Sequence, residues 1–286
     1  MINKDVRGEE MEKQQRHQKV TARSEPFADK VSTRIWEELA SSDNPYIADS
    51  SRCHGYDLID LMRGASYIDT FYLLFRGEVP STDERQLLEK LMIGLINPGP
   101  RHPATRAAMN AGIGKTDPQH ILPISLAIMG GEHLGAGEVE GAMRFMRRHR
   151  REDPAHLVEQ LLKEKGEEQP EEGDWHIVPG FGSCFGGVDL MPSKLVTLLL
   201  ELPGCGDIIK WGARFSAALE KHNMGWLNVG VAAAVFADLG FHPRSGAGLF
   251  QLLSAPGLLA HGMEQANKPI TAMPFISDKA YTIDYD

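Results

Sequence analysis

The sequence predicts an all-α fold, and three observations carry that prediction. Apolar residues recur at helical spacing through most of the chain, strict alternation of apolar and polar residues is scarce, and Gly and Pro punctuate the periodic runs. With 286 residues, 42% of them apolar, the chain can build a substantial core and is not disordered as a whole.

Residues 1–25 are rich in Glu, Lys, Arg and Gln without apolar periodicity and are expected to form a mobile or partner-dependent charged arm ahead of a domain spanning 26–286. From Phe27 the pattern changes. Val31, Ile35, Trp36 and Leu39 are spaced like one face of a helix, and folding is expected to start there. A helix is predicted over 57–75. Ser81 and Glu84 have capping-box form, and Leu87, Leu88, Leu91, Met92 and Leu95 follow at helical spacing until Asn97-Pro98-Gly99-Pro100 stops the run. Further helices are predicted at 103–112, 120–129, 138–150, 154–164, 192–202, 206–221, 225–238 and 246–262. The charged, turn-prone stretch between Glu164 and Asp174 reads as an exposed loop. Pro179-Gly180-Phe181-Gly182 and Gly186-Gly187 have two readings: plain interhelical turns, or places where glycine lets a ligand approach the backbone. No repeat of fixed period is present.

Composition excludes several classes. The longest apolar stretches, such as Val229–Phe236, fall well short of the roughly 20 residues of a membrane-spanning helix. Lys4, Asp5, Arg7, Glu9 and Glu10 have no apolar stretch behind them, so a secretory signal is not expected and a cytoplasmic location is the default. Cys53, Cys184 and Cys205 are an odd set without a C-x-x-C pair, which suggests reduced thiols, no disulfide framework and no metal site. A net charge of −9 argues against nucleic acid as a partner. The basic cluster Arg144, Arg147, Arg148, His149, Arg150 and Arg151 runs against that balance. It reads as a solvated helix end or as a patch for an anionic ligand. The apolar stretches Leu227–Phe236 and Leu195–Leu202 look like more than one chain can bury, which points to a homodimer.

Chemistry first suggests itself at Met129-Gly-Gly-Glu-His-Leu-Gly-Ala-Gly-Glu138, where His133 lies among small residues that leave room for a ligand. An imidazole there either joins two helix ends or donates a hydrogen bond to a carbonyl oxygen as negative charge develops on it.

His54-Gly-Tyr-Asp-Leu-Ile-Asp-Leu61, running into Ala65 to Pro80 with its Tyr72-Leu73-Leu74 and Gly77-Glu78-Val79-Pro80, resembles the early signature of the citrate synthase and citryl-CoA lyase superfamily. His133-Leu-Gly-Ala-Gly-Glu138 resembles that family's His-Gly-Gly-Ala-Asn-Glu. Val178-Pro-Gly-Phe-Gly182 resembles its Pro-Gly-Phe-Gly-His, and Gly257-Leu-Leu-Ala-His-Gly-Met-Glu-Gln265 its Gly-Trp-x-Ala-His-x-x-Glu-Gln. Four matches in family order cover about three quarters of the chain. The resemblance implies a helical fold with a large and a small domain, the small lid over about 140–225. It also implies coenzyme A as the acyl-CoA substrate, an oxo-acid or citryl-type partner ligand, and a homodimer.

Carried over by residue, His133 matches the histidine that hydrogen-bonds the thioester carbonyl. His102 and Arg106 fall near the carboxylate-binding histidine, and Gly180, Phe181 and Gly182 stand in the coenzyme-binding element. Ser183 replaces the histidine that polarises the oxo group. Where the family has Asn-Val-Asp-Phe, with its aspartate base, the chain reads Asn223-Met224-Gly225-Trp226. The Asp-Pro-Arg arginine has no counterpart unless Lys194 substitutes, and Ser254 replaces a later arginine. Two functions therefore remain open: a diverged lyase or synthase that makes or cleaves a C–C bond with a replacement base (Glu132, Glu138, Asp189 or His222) or with Cys184 as a nucleophile, and a non-catalytic ligand sensor or partner subunit.

Overall fold

The computed structural model describes residues 27–165 and 174–284. The expected charged arm, and the loop after Lys165 up to Gly173, lie outside the described residues. The chain divides into two compact units, Met1–Gly55 and Tyr56–Asp286.

The first unit contains an antiparallel hairpin of β1 (Trp36–Ala40) and β2 (Ala48–Cys53), with Trp36 opposite Cys53 and a bulge between Leu39 and Ala40. The turn is closed by the Ser41 N–H, which donates to the Ile47 carbonyl at 2.8 Å. The helix expected from Val31 to Leu39 is thereby corrected to a strand. Its apolar spacing fits a helix face, but the backbone finds its hydrogen-bond partners in a later segment, and such a partner leaves no mark on the periodicity of one stretch.

The second unit holds eleven α-helices among the described residues. The helix expected over 57–75 is two, α1 (Leu58–Gly64) and α2 (Tyr67–Arg76), because Ser66 breaks the first and caps the second in a capping box with Asp69. Burial works against ionisation of Asp69, but the Ser66 N–H and hydroxyl and the Arg85 guanidinium outweigh it and hold the carboxyl below its usual range. Arg85 lies on α3 (Thr82–Gly94), whose Ser81–Glu84 capping box forms as the sequence predicts and whose Leu87, Leu88 and Leu91 are buried.

Next come α4 (Pro103–Ile113) and α5 (Pro118–Met129), which pack with the last helix, α11 (Gly246–Ala266). Their closeness depends on glycine: a Cβ on Gly112 would stand 2.0 Å from the Gly262 carbonyl oxygen. The core runs along α10 (Asn228–Asp238), where every residue from Val229 to Ala237 is buried, against α6 (Val139–His149). The apolar run Leu227–Phe236 is thus largely used up inside the chain, while Leu198 and Leu200 on α8 (Leu190–Leu200) stay exposed. After α7 (Pro154–Lys165), α9 (Asp207–Leu219) has no capping side chain of its own. Asp238, at the end of α10, accepts from the Ile208 and Ile209 N–H groups at 2.9 Å each and satisfies that helix start.

A small antiparallel sheet that periodicity did not signal joins β3 (Asp174–Val178), β4 (Phe181–Cys184) and β5 (Gly225–Trp226). Its turn residue Gly180 has φ +86° and meets the start of α10 backbone to backbone. A Cβ on Gly230 would lie 2.1 Å from the Gly180 carbonyl oxygen. Phe181, Trp226, Phe215 and Trp211 stack behind this contact at centroid separations of 4.4 to 5.0 Å.

Gly230→Ala therefore forces backbone apart and is expected to cost about 1–3 kcal/mol in urea denaturation. Gly248→Ala, on α11 with nothing within 4 Å of the added carbon, should instead gain about 0.4–1 kcal/mol.

Candidate functional site

A cleft of about 590 Å³ opens in the second unit. Its walls come from the end of α3, the start of α4, the loop after α5, the β3–β4 hairpin and the start of α10. His102 and Arg106 stand at the α4 wall with Arg101, and His133 on the loop. His176 and Cys184 come from the hairpin, Asn228 from α10 and Ser254 from α11.

His102 is the N-cap of α4. Its Nδ1 accepts the Ala104 N–H at 3.1 Å, so Nε2 carries the proton and donates to the Leu134 carbonyl at 2.9 Å. Burial holds its pKa below the ordinary 6.5, against the bond to Leu134 and helped by neighbouring His133. The neutral ring thus clamps the loop that carries His133, where Leu134 itself adopts φ 54°. Both ring nitrogens are spent on backbone, so the anion-binding part expected of His102 and Arg106 together falls to Arg106 and Arg101, which are exposed.

Glu138 follows the same loop. One carboxylate oxygen accepts from His176 Nδ1 and the other from the Gly180 N–H at 3.3 Å. A single side chain so ties the His133 loop to the hairpin and fixes the His176 ring. His176 was not singled out in the sequence, where a lone histidine inside Trp175-His-Ile-Val178 carries no motif.

Other expected site residues lie elsewhere. Ser183 is 1% exposed within β4, opposite Trp175, and is not part of the cleft wall. Gly180, Phe181 and Gly182 are buried in the hairpin and its aromatic stack. Lys194 is exposed on α8 outside the lining. Asp189 lines the cleft and accepts the Met191 N–H at 3.1 Å as the N-cap of α8. Gly225 is buried in β5, where an added Cβ would meet Val188 at 2.9 Å. The stretch that does reach the cleft is Leu227-Asn228-Val229. Its Asn-Val pair repeats the first two residues of the family's Asn-Val-Asp, followed by Gly230. That pair was the available signal. No side chain fits at Gly230, so the start of α10 offers the cleft an amide and no carboxylate.

The basic cluster is dispersed by the fold. Arg144 pairs with Glu140, and Arg147 donates to the Phe241 carbonyl at 2.8 Å. Arg150 and Arg151 join Lys210 and Arg214 around a separate hollow. Among the described residues no cluster of His, Cys, Asp or Glu is arranged to hold a metal, and no helix is long and apolar enough to cross a membrane.

Because its folded pKa is depressed, His102 contributes stability that is complete above pH 6.5 and lost as pH falls from there towards the folded value. Thermal melts across that window should show a falling midpoint for the native chain, and a smaller fall for His102→Asn, which keeps a cap but does not titrate.

No protein-family model and no curated protein matches the sequence. Solved structures do match. Citryl-CoA lyase from Hydrogenobacter thermophilus superposes with a TM-score of 0.72 at 22% identity, over 90% of this chain and 95% of that one. A mutant ATP citrate lyase from Methanosaeta concilii, solved with (3S)-citryl-CoA, gives 0.65 at 18% identity over 89% of this chain, which spans only 43% of that larger protein. Citrate synthase from Thermotoga maritima gives 0.56 at 20% identity, over 77% of this chain and 59% of that one. The agreement runs through the helical order and extends over nearly the whole of the first of these structures, and on it this chain has the fold of the citrate synthase and citryl-CoA lyase superfamily.

Proposed function

We propose that the chain binds an acyl-CoA thioester together with an oxo-acid or citryl-type ligand in the cleft, and makes or cleaves a carbon–carbon bond there. The carrying observation is the single cleft that gathers His133, Arg101, Arg106 and Asn228. In this reading His133 donates a hydrogen bond to the thioester oxygen as the enolate forms, and a preorganised donor of that kind in a shielded site typically contributes about 10²- to 10³-fold. Arg101 and Arg106, at the positive end of α4, hold a carboxylate. Asn228 supplies a polar contact. Lys194 is reserved for the outer, phosphate-bearing part of the coenzyme, and residues 140–225 form a lid that closes over it. The citryl-CoA lyase and citryl-CoA-bound ATP citrate lyase likenesses support this ligand class.

A second reading, a non-catalytic sensor or partner subunit, is favoured by Gly230 and Ser183, which remove the usual base and acid from their places. General acid and base groups contribute about 10²- to 10⁴-fold each. Citrate formation from acetyl-CoA and oxaloacetate is accordingly expected below about 0.1 s⁻¹, against a usual enzyme median of about 10 s⁻¹. Calorimetry with coenzyme A and acetyl-CoA separates the readings from simple absence of binding. His133→Ala should abolish CoA-dependent turnover and leave the helical circular dichroism unchanged; full activity in that variant removes His133 from the mechanism.

The homodimer belongs to the same proposal. Its support is the row of exposed apolar side chains on α5 and α11, Ile124, Ile128, Leu252, Leu259 and Met263. Light scattering at micromolar concentration should give twice the 31.6 kDa chain mass; the monomer mass alone refutes it.

A further inference from the structure

The cleft contains a base of a different kind from the carboxylate that Gly230 cannot carry. We propose that His176, oriented by Glu138, is the general base that removes and returns the α-proton of an acyl thioester bound beside His133. This inference rests on the acyl-CoA reading above.

His176 lines the cleft together with His133, Asn228 and Cys184. It faces Gly182 across the β3–β4 pair, so no cross-strand side chain covers it from that position. Its Nδ1 is engaged by the Glu138 carboxylate, and the other carboxylate oxygen is engaged by the Gly180 N–H. That arrangement sets the ring plane and makes Nδ1 the donor, so proton exchange with a cleft ligand runs through Nε2. The His176 and Glu138 side chains are 15% and 17% exposed, so the carboxylate's attraction for an imidazolium is little screened by water. A nitrogen base held by a third group is the general pattern of an activated proton acceptor.

The alternatives raised by the sequence are less well placed. Glu132 and His222 do not line the cleft, and Asp189 is committed to capping α8. Glu138 itself spends both oxygens on positioning.

The step balances without a co-reactant. The Nε2 lone pair takes the proton from Cα, and the C–H electron pair becomes the C=C bond of the enolate. The charge moves to the thioester oxygen, where His133 donates to it. The imidazolium formed is held by Glu138, and reversal returns the proton. In deuterated water the substrate therefore gains α-deuterium with no oxo-acid present. Because Glu138 follows the His133 loop directly, the donor and the base are tied to each other through one side chain.

The test incubates the full chain with acetyl-CoA in deuterated water and reads α-deuterium by mass spectrometry, with coenzyme A binding measured in parallel. The native chain should exchange. His176→Gln should slow exchange about 100-fold or more while retaining coenzyme A binding, and Glu138→Gln should slow it by a smaller factor. If His176→Gln fails to fold, the Glu138→Gln rate carries the test, since an unchanged rate there removes the orienting role. Exchange at the native rate in a folded His176→Gln overturns this inference and leaves the acyl-CoA reading standing. So does loss of exchange in Cys184→Ser alone, which would move the base to the thiol. A native chain that binds no coenzyme A and exchanges nothing overturns both.

Discussion

The close backbone contact between Gly180 and Gly230 is the constraint on which the second unit depends. Carbonyl and Cα groups of the two residues occupy the space that a Cβ on either would need. That lets the β3–β4 turn seat on the first turn of α10, where the Leu227 N–H donates to the Gly180 carbonyl at 3.1 Å. Once the hairpin is seated, Phe181 is delivered to the aromatic stack with Phe215 and Trp226, and β5 pairs with β4. The helix beneath is buried on all sides from Val229 to Ala237. Such a helix is held by packing around its whole circumference and not by one apolar stripe.

The same contact shapes the chemistry. A chain that brings these backbones together cannot place a carboxylate at Gly230, and the cleft receives Asn228 in its stead. Meanwhile Gly180 turns its N–H towards Glu138, whose second oxygen orients His176. Packing and polar organisation are therefore coupled at one point: the hairpin position that excludes one side chain supplies part of the support for another.

The loop bearing His133 is held from two sides by groups that are not themselves at its tip. His102 donates to Leu134 from the α4 wall, and Glu138 links the loop's far end to the hairpin. Gly135 is required between them, since a Cβ there would lie 2.2 Å from the Gly131 carbonyl oxygen. The exposed imidazole of His133 thus sits on a short segment fixed at both ends. Such support holds a donor in position at little entropic cost when a ligand arrives.

The sequence by itself determined the helical class and most helix positions, because apolar periodicity and caps are local properties. Ser81 with Glu84 and the leucines of α3 are the plainest instance. It also determined that His133 stands in an open, small-residue setting, and the family motifs located the helical fold that the solved structures share. Tertiary structure alone decided the rest. The β1–β2 hairpin and the sheet around Gly180 form because their backbone hydrogen bonds go to distant segments, which no single-segment period reports. Whether a residue faces the cleft depends on what packs behind it: Ser183 and Gly225 are buried in strands, whereas Asn228 opens onto the cavity. The Glu138–His176 pair joins positions separated by a helix pair and a charged loop. Only folding brings that carboxylate to that imidazole, and the geometry of a hydrogen bond, set within a few tenths of an ångström, is not written in composition or spacing.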